Sequence, residues 1–539
     1  MIFGVRSGDV LGRALEKIFP GARFAEEAAP GMAALAVSVS AREAVIGPLT
    51  LPERAGCWHC ARMRMAAAGE EEAPEGTRDV SEAAARALID LDTNRLLDHV
   101  LIVNAATEQA AFHRVIPLPE CPVCGGAAAF PRIDEIEDLS GCVDPRTGII
   151  SCVVVEEPET DVVIVTAAPP HLIDASGSRR RFPIGWGKGL TLADAFLSAV
   201  GEAIERYAPS LPDAARIVSK RPHELHGERL DPREFALYTE AQYQRADFPF
   251  ARFDPEICHP WVRGKWLNGG GAVWTPALFT YLSLTLERAQ NFCQGSSNGL
   301  AAAWDCEEAA LRATLELVER DAFMRAWLGR RPARRVEVDD PRLRQVVESV
   351  ERLGATVEVY ALPSACGTTV LCLALGDGKR YPGATIGLSA NLDPALAMRG
   401  AVLELAQTGP HLRRMMQSGA WRVPEAPEEV REMPDHAAYY FPAERAKAFD
   451  RLRTNDAPVP IRNVGQVGNL RPIGNRPFAG ERSERSLTEL RVALVDVTSA
   501  DVAMGPFRVV RAVSPDLLPI SYGYGLERAG TASDIHPIW

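Results

Sequence analysis

The chain lacks both common glycine signatures for phosphate binding. There is no G-x-x-x-x-G-K-[ST] and no G-x-G-x-x-G, which excludes a P-loop NTPase and a Rossmann-type dinucleotide site. An isolated Gly187-Lys188-Gly189 has neither the upstream glycine nor the following hydroxyl residue of a P-loop. No apolar run approaches the roughly 18 residues that a membrane span needs. The opening Met1-Ile2-Phe3-Gly4-Val5-Arg6 is not a signal-peptide pattern, so a cytoplasmic location is expected. An excess of positive charge is also lacking: the net charge is -12 and there is no basic tail, which argues against nucleic acid or an anionic membrane as partner. Eleven cysteines in 539 residues are too sparse for a disulfide framework and read as reduced thiols and metal ligands. What remains, 47% hydrophobic and 24% charged, is an ordinary globular composition with length for two to four domains.

Against that background one helical phrase recurs. It is E-x-x-E-R at Glu202–Arg206 and again at Glu316–Arg320, then E-x-x-Q at Glu404–Gln407. The surrounding alanine-rich stretches, Leu192 to Ala208, Glu307 to Leu328 and Ala395 to Gln407, have helical spacing, and each opens on a start signal. Thr191 precedes Asp194 by three residues, Asp305 precedes Glu308 by three, and Asp393 stands directly before Pro394. Residues three apart share a helix face. Each copy therefore sets two oxygen-bearing side chains together, and paired carboxylates need a cation between them. One such copy would pass for a solvated face; two copies and a variant point to a site.

Two C-x-x-C knuckles, Cys57/Cys60 and Cys121/Cys124, supply the four thiolates of a closed tetrahedral zinc site, with Gly125 and Gly126 suited to the turn. The long spacer, holding a helix over about Val80 to Asp92 and a strand around His99 to Val103, gives the metal a structural role; His59 is a bystander. A redox C-x-x-C or unrelated buried cysteines are the alternatives.

Farther along, strands are expected at Ile149 to Val155 and Asp161 to Ala167. Ser176-Gly177-Ser178-Arg179 then leads to the Gly-Lys-Gly stretch, where Lys188 suits a phosphate contact at a helix start or belongs to a plain surface loop. Ser198, Glu202 and Arg206 lie on one helical stripe. Pro209 to Asn291 reads as a connecting subdomain without a motif. The arginines there, with Arg330, Arg331, Arg334 and Arg335, read as solvated or salt-bridged. Gln294 to Gly299, which includes Asn298, forms a polar loop into the second acidic helix, where small residues let a ligand approach the backbone. The chain ends Asp534-Ile535-His536-Pro537-Ile538-Trp539, either free or docked with its terminal carboxylate in a site.

Four glutamates, a glutamine, a lysine and a Ser/Asn loop with interleaved arginines describe a site for a polyanion and hard metal ions. Mg2+ with a nucleoside triphosphate is the natural occupant. The ordered motifs Gly187-Lys188-Gly189, Ser198 to Tyr207, Ser296 to Ala301, Glu316 to Asp321 and Arg399 to Gln407 resemble the YcaO family over roughly residues 140 to 539. The cysteine-bearing N-terminal part resembles the zinc-bearing remnant of the E1/ThiF-like partner in azoline-forming cyclodehydratases of thiazole/oxazole-modified peptide biosynthesis.

The resemblance implies an α+β fold with a YcaO-type core of pseudo-repeated strand/helix units after a small zinc-stapled α/β domain. Residues 1–135 would form the zinc-binding, truncated E1/ThiF-like domain and 136–539 the ATP-binding catalytic domain. It also implies ATP, Mg2+ and Zn2+, and cyclodehydration of Cys, Ser or Thr in a ribosomal precursor peptide through phosphorylation of the backbone amide oxygen. Glu202, Glu205, Glu316 and Glu319 match the Mg2+-binding positions. Lys188, Ser198, Arg206, Asn298 and Gln407, joined by Arg320 and Glu404, match the nucleotide site, and the carboxylate of Trp539 matches a tail that assists proton transfer. The tail departs from the proline-rich endings common in the family. The short N-terminal region implies that a separate protein captures the leader peptide; a homodimer stays open. A thioamide- or amidine-forming relative and a non-catalytic zinc scaffold that binds peptide are the competing readings.

Overall fold

The computed structural model describes residues 1–539 apart from 7, 26–32, 53, 70–77, 90, 120, 127–138, 174–178, 330–331, 420, 455, 464–485 and 529–533. Ser176 to Ser178, Arg330, Arg331 and the 135/136 boundary expected above lie outside the described residues.

The N-terminal part is a six-stranded sheet. Ile2–Phe3 pairs in parallel with Phe24–Ala25 and with Ala34–Val39; the sheet then runs antiparallel through Glu43–Thr50, His99–Asn104 and Gln109–Arg114. The run Val100-Leu101-Ile102-Val103 is buried throughout because both faces are covered. Leu101 and Val103 pack with Leu11, Leu15 and Val80 from helices Val10–Ile18 and Arg78–Ala87, whereas Val100 and Ile102 pack on Cys57, Cys60 and Cys121. The helix expected over Val80 to Asp92 thus ends early, and a 3-10 turn, Thr93–Leu97, capped by Asp92, follows it.

The remainder is built from three strand–helix units. Strands Gly185–Gly189, Leu300–Ala303 and Ala384–Asn391 each run into an acidic helix, Leu192–Tyr207, Cys306–Leu328 and Pro394–Ser418 respectively. The helix starts are those read from sequence: Thr191 accepts from the Asp194 amide, Asp305 from Glu307 and Glu308, and Asp393 from Ala395 with Pro394 at the first helical position. Each strand lies at the edge of its own sheet, of three, seven and five strands.

The sheets and helices alternate around a closed ring. In the seven-stranded sheet, Ala302 and Val509 face the first acidic helix at Ala199 and Ala203, while Ala301, Ala303 and Val510 face the second at Ala313 and Leu317. In the five-stranded sheet, Leu371 and Leu373 face Phe323 and Trp327 of the second helix, while Val370 and Cys372 face Ala401 and Leu405 of the third. In the three-stranded sheet, Ile164 faces the third helix while Val165 and Ala167 face the first. Strand alternation with period two supplies both faces each time.

Three expectations are corrected. Gly185–Gly189 is an edge strand rather than a surface loop, and its glycines serve packing. A Cβ on Gly185 would sit 2.0 Å from the Ala199 carbonyl oxygen, and one on Gly387 2.3 Å from that of Ala401, the equivalent place in the third unit. Pro209 to Asn291 is more than a connector, since His259–Trp266 and Ala272–Pro276 are inner strands of the seven-stranded sheet. The third helix does not stop near Gln407 but runs to Ser418 through Pro410. Proline removes the bond to the carbonyl four residues back; here the Thr160 hydroxyl donates to that carbonyl, Ala406 O, at 3.1 Å.

Candidate active site

The unsatisfied edges of the three strands define the site. An edge strand presents amides without a partner, and in each unit one of them donates to the first acidic residue of its own helix. Trp186 N reaches Glu202 Oε2 at 3.0 Å, Gly299 N reaches Glu316 Oε2 at 3.0 Å, and Leu388 N reaches Glu404 Oε2 at 3.3 Å. The sequence separations are 16, 17 and 16, a strand–helix repeat hidden in side-chain-to-backbone bonds.

The second residue of each phrase reaches the next unit instead. Glu205 accepts from the Ala302 amide, Glu319 accepts from Ala390 N at 3.1 Å, and Gln407 Nε2 donates to Trp186 O at 2.5 Å. Helix one thus holds strand two, helix two holds strand three, and helix three returns to strand one. The change from acid to amide in the third phrase follows from this: its acceptor is a carbonyl, so the side chain has to donate.

The ring gathers the acidic residues. Glu205 feels Glu202 and Glu316 as repelling neighbours, and Glu319 feels Glu316 and Glu404. Burial pushes Glu205 up to about 8 despite Arg206, and Glu319 up to about 7 despite Arg320 and Lys188. Arg206 lies 2.7 Å from Glu205 and 3.7 Å from Glu202; Arg320 lies 3.5 Å from Glu319 and 3.7 Å from Glu316. Each arginine therefore binds its own pair, as the spacing of the phrase suggested. Buried carboxylates whose ionised forms are this disfavoured need further positive charge from a ligand.

The other expected residues fall around this ring. Asn298 is 6% exposed, next to Gly299, and its Nδ2 has no partner among the described residues. Half-buried Ser198 stands one turn before Glu202 on the same stripe. The tail is docked: Trp539 stacks on His411, with ring centres 5.0 Å apart at 8°, and meets Trp186 edge-on at 5.8 Å. It is held by Arg451 on Asp534 at 2.8 Å, by the Tyr440 hydroxyl on Ile535 O, and by a buried histidine pair. His436 Nε2 accepts from Gly523 N at 2.9 Å, so its Nδ1 carries the proton and donates to His536 O at 2.9 Å. Trp186 and His411 carried no sequence signal; the place of Trp186 between two glycines was the nearest to one.

The cysteine cluster is separate. Cys57, Cys60, Cys121 and Cys124 bring their sulfurs within 4.8 Å of one another, the only such group of three or more metal-ligating side chains among the described residues. Individual S···S distances are 3.6 to 4.0 Å. Tetrahedral zinc with Zn–S of about 2.3 Å requires sulfurs about 3.8 Å apart, so the donor set fits that ion. Gly125 and Gly126 take positive φ, +77° and +71°, at the knuckle. Elemental analysis is expected to find one zinc per chain, and Cys60→Ser to lose it together with thermal stability; a metal-free wild type of equal stability would rule this out.

A family model described as YcaO cyclodehydratase, ATP- and Mg2+-binding, matches residues 186–518, more than half of the chain. The chain belongs to the YcaO family. All three acidic phrases fall inside the matched YcaO segment. An uncharacterised protein of Methanothermobacter thermautotrophicus is 27% identical over 228 residues, 41% of this chain and 56% of that relative. The chain thus spans little more than half of that relative's length. A heterocyclase solved in complex with substrate and cofactor shares the fold, with TM-score 0.68 and 18% identity over 90% of this chain and 73% of that one. The heterocyclase TruD does so with TM-score 0.60 and 18% identity over 96% and 78%. The likeness in fold therefore takes in the cysteine-bearing N-terminal sheet as well as the YcaO core. Among the described residues no helix is long and apolar enough to cross a membrane.

Proposed function

We propose that this YcaO chain is a cytoplasmic, ATP-dependent peptide cyclodehydratase. The closed ring of acidic helices carries the reading: buried carboxylates crowded until two of them resist ionisation are a receptor for cations arriving with a polyanion. Glu202, Glu205, Glu316 and Glu319 would hold Mg2+, which neutralises charge on the phosphates when bound. Lys188, Ser198, Arg206, Asn298, Arg320, Glu404 and Gln407 would position the nucleotide. In the reaction a Cys, Ser or Thr side chain of the peptide attacks the preceding backbone carbonyl, and the resulting oxyanion takes the terminal phosphoryl group of ATP. Phosphate then leaves with that oxygen, giving thiazoline or oxazoline and ADP. Phosphoryl transfer asks the protein chiefly for placement and charge, which a ring locked by backbone hydrogen bonds supplies. The docked Trp539 lies beside Trp186, whose amide and carbonyl are both part of the ring.

A precursor peptide and a separate leader-binding protein complete the proposed system. The test is a mass spectrum of Cys-, Ser- and Thr-containing peptides encoded beside the gene, incubated with the chain, its neighbouring partner proteins, ATP and Mg2+. Loss of one water per modified residue, with one ADP formed for each, is expected. Exchange of oxygen for sulfur would make the chain a thioamide-forming enzyme instead, and absence of ATP turnover would leave a peptide-binding scaffold.

A further inference from the structure

Arg511 lies in the strand Arg508–Val513, opposite Leu300 on one side and Val495 on the other. Its neighbours along the strand are Val509, Val510, Ala512 and Val513, so it is a single charge in an otherwise apolar run. The residue is 6% exposed, and its Nε and Nη1 have no hydrogen-bond partner among the described residues. It makes no ion pair with any described residue. Arg206 and Arg320, by contrast, are each tied to two glutamates.

Its surroundings are those of the acidic ring. Glu316 and Glu205 attract it, Arg206 and Arg528 repel it, and burial outweighs the attraction, pulling its guanidinium down to about 10. Strand alternation puts Arg511 on the face of Val509, which packs against the first acidic helix. A buried guanidinium with open N–H groups and no carboxylate of its own is a costly arrangement to keep for packing alone. Its planar fork matches a phosphate, to which it can give two parallel bonds. Lys188 faces Glu319 in the neighbouring part of the ring, so two cations flank the carboxylates that would hold the metal.

Resting on the nucleotide reading above, we propose that Arg511 is a phosphate-binding residue of the site, donating Nε–H and Nη1–H to the polyphosphate of the bound nucleotide. Apolar Val509, on the same face, and Leu300, paired opposite, keep water away from the fork, which strengthens bonds of this kind.

The test is calorimetric binding of AMPPNP and of tripolyphosphate, each with Mg2+, to the full chain as wild type, Arg511→Gln and Arg511→Lys. Arg511→Gln is expected to weaken both by about 10- to 100-fold, the scale of losing charge-assisted hydrogen bonds. Arg511→Lys, which keeps the charge but not the fork, is expected to fall between that variant and wild type. A folded Arg511→Gln that binds both like wild type overturns the proposal. So does an Arg511→Lys equal to wild type, which keeps the question decidable if the glutamine variant does not fold. A wild type that binds neither probe defeats the nucleotide reading itself, an outcome distinct from either.

Discussion

Alanine at Glu319 is expected to cut ATP turnover by about 10²–10³-fold, the scale on which a single preorganised charged group contributes. Phosphate release with Mg2+ and precursor measures it. Glu319 joins two units, accepting from Ala390 N while facing Arg320, Glu316 and Glu404, so its loss removes one of the carboxylates proposed to hold Mg2+ and opens the ring. Glu319→Gln separates the two roles, because the amide oxygen still accepts from Ala390 while the charge is gone. It should be as inactive as the alanine variant yet at least as stable as wild type without nucleotide.

The pH dependence has a definite sign. Burial raises Glu205 to about 8 and Glu319 to about 7, above their unfolded values. The folded nucleotide-free chain therefore binds more protons than the unfolded one between the ordinary carboxylate range and about pH 8. These two groups contribute stability that is complete at low pH and is lost as pH rises through 7 to 8. The nucleotide-free melting temperature should fall across that window, and Glu319→Gln should flatten the fall. ATP with Mg2+ should raise melting more at pH 8 than at pH 6, because the ligand compensates ionised carboxylates only where they are ionised. A shift of equal size at both values would separate these residues from the ligand.

How much of this could be read from the chain depended on the range of each interaction. The acidic helices were legible because caps, apolar spacing and the E-x-x-E-R phrase all act within a turn or two. Cys57, Cys60, Cys121 and Cys124 were legible because thiolate ligands come in a spacing few other uses share. The three-fold ring was not: it closes through Glu205 to Ala302, Glu319 to Ala390 and Gln407 to Trp186, contacts made between units. The end of the third helix was misplaced because the rescue of Pro410 comes from Thr160, 246 residues from the carbonyl it satisfies. Arg511 left a trace, a charge set among Val509, Val510, Ala512 and Val513, whose meaning depends on which helix the strand faces.

The second large effect is expected at the seam between the cysteine-bearing sheet and the YcaO core. Arg64, on the helix Trp58–Ala67 that starts at the first knuckle, donates through Nη2 to Asp501 at 2.9 Å, and both side chains are 0% exposed. Its Nε donates to Ile116 O at 2.7 Å. Asp501 also accepts from the Tyr207 hydroxyl at 2.7 Å, from Ser499 at 2.6 Å and from the Val502 amide at 2.9 Å. Tyr207 directly follows Arg206, so this carboxylate links the cysteine-bearing helix to the end of the first acidic helix. Asp501→Ala leaves a guanidinium buried without its counter-charge and is expected to destabilise by about 3–5 kcal/mol, whereas Tyr207→Phe, losing one hydrogen bond, should cost about 1 kcal/mol. Arg64→Met combined with Asp501→Asn removes both charges and keeps an acceptor for Ser499 and Val502, and most of the loss should return. Denaturant unfolding of the four proteins under one condition measures this. A double variant no more stable than Asp501→Ala would show that the carboxylate acts through Tyr207 and Val502 rather than through its pairing with Arg64. Because Tyr207 adjoins Arg206, Asp501→Ala is also expected to raise the KM for ATP, while the conservative double variant restores it.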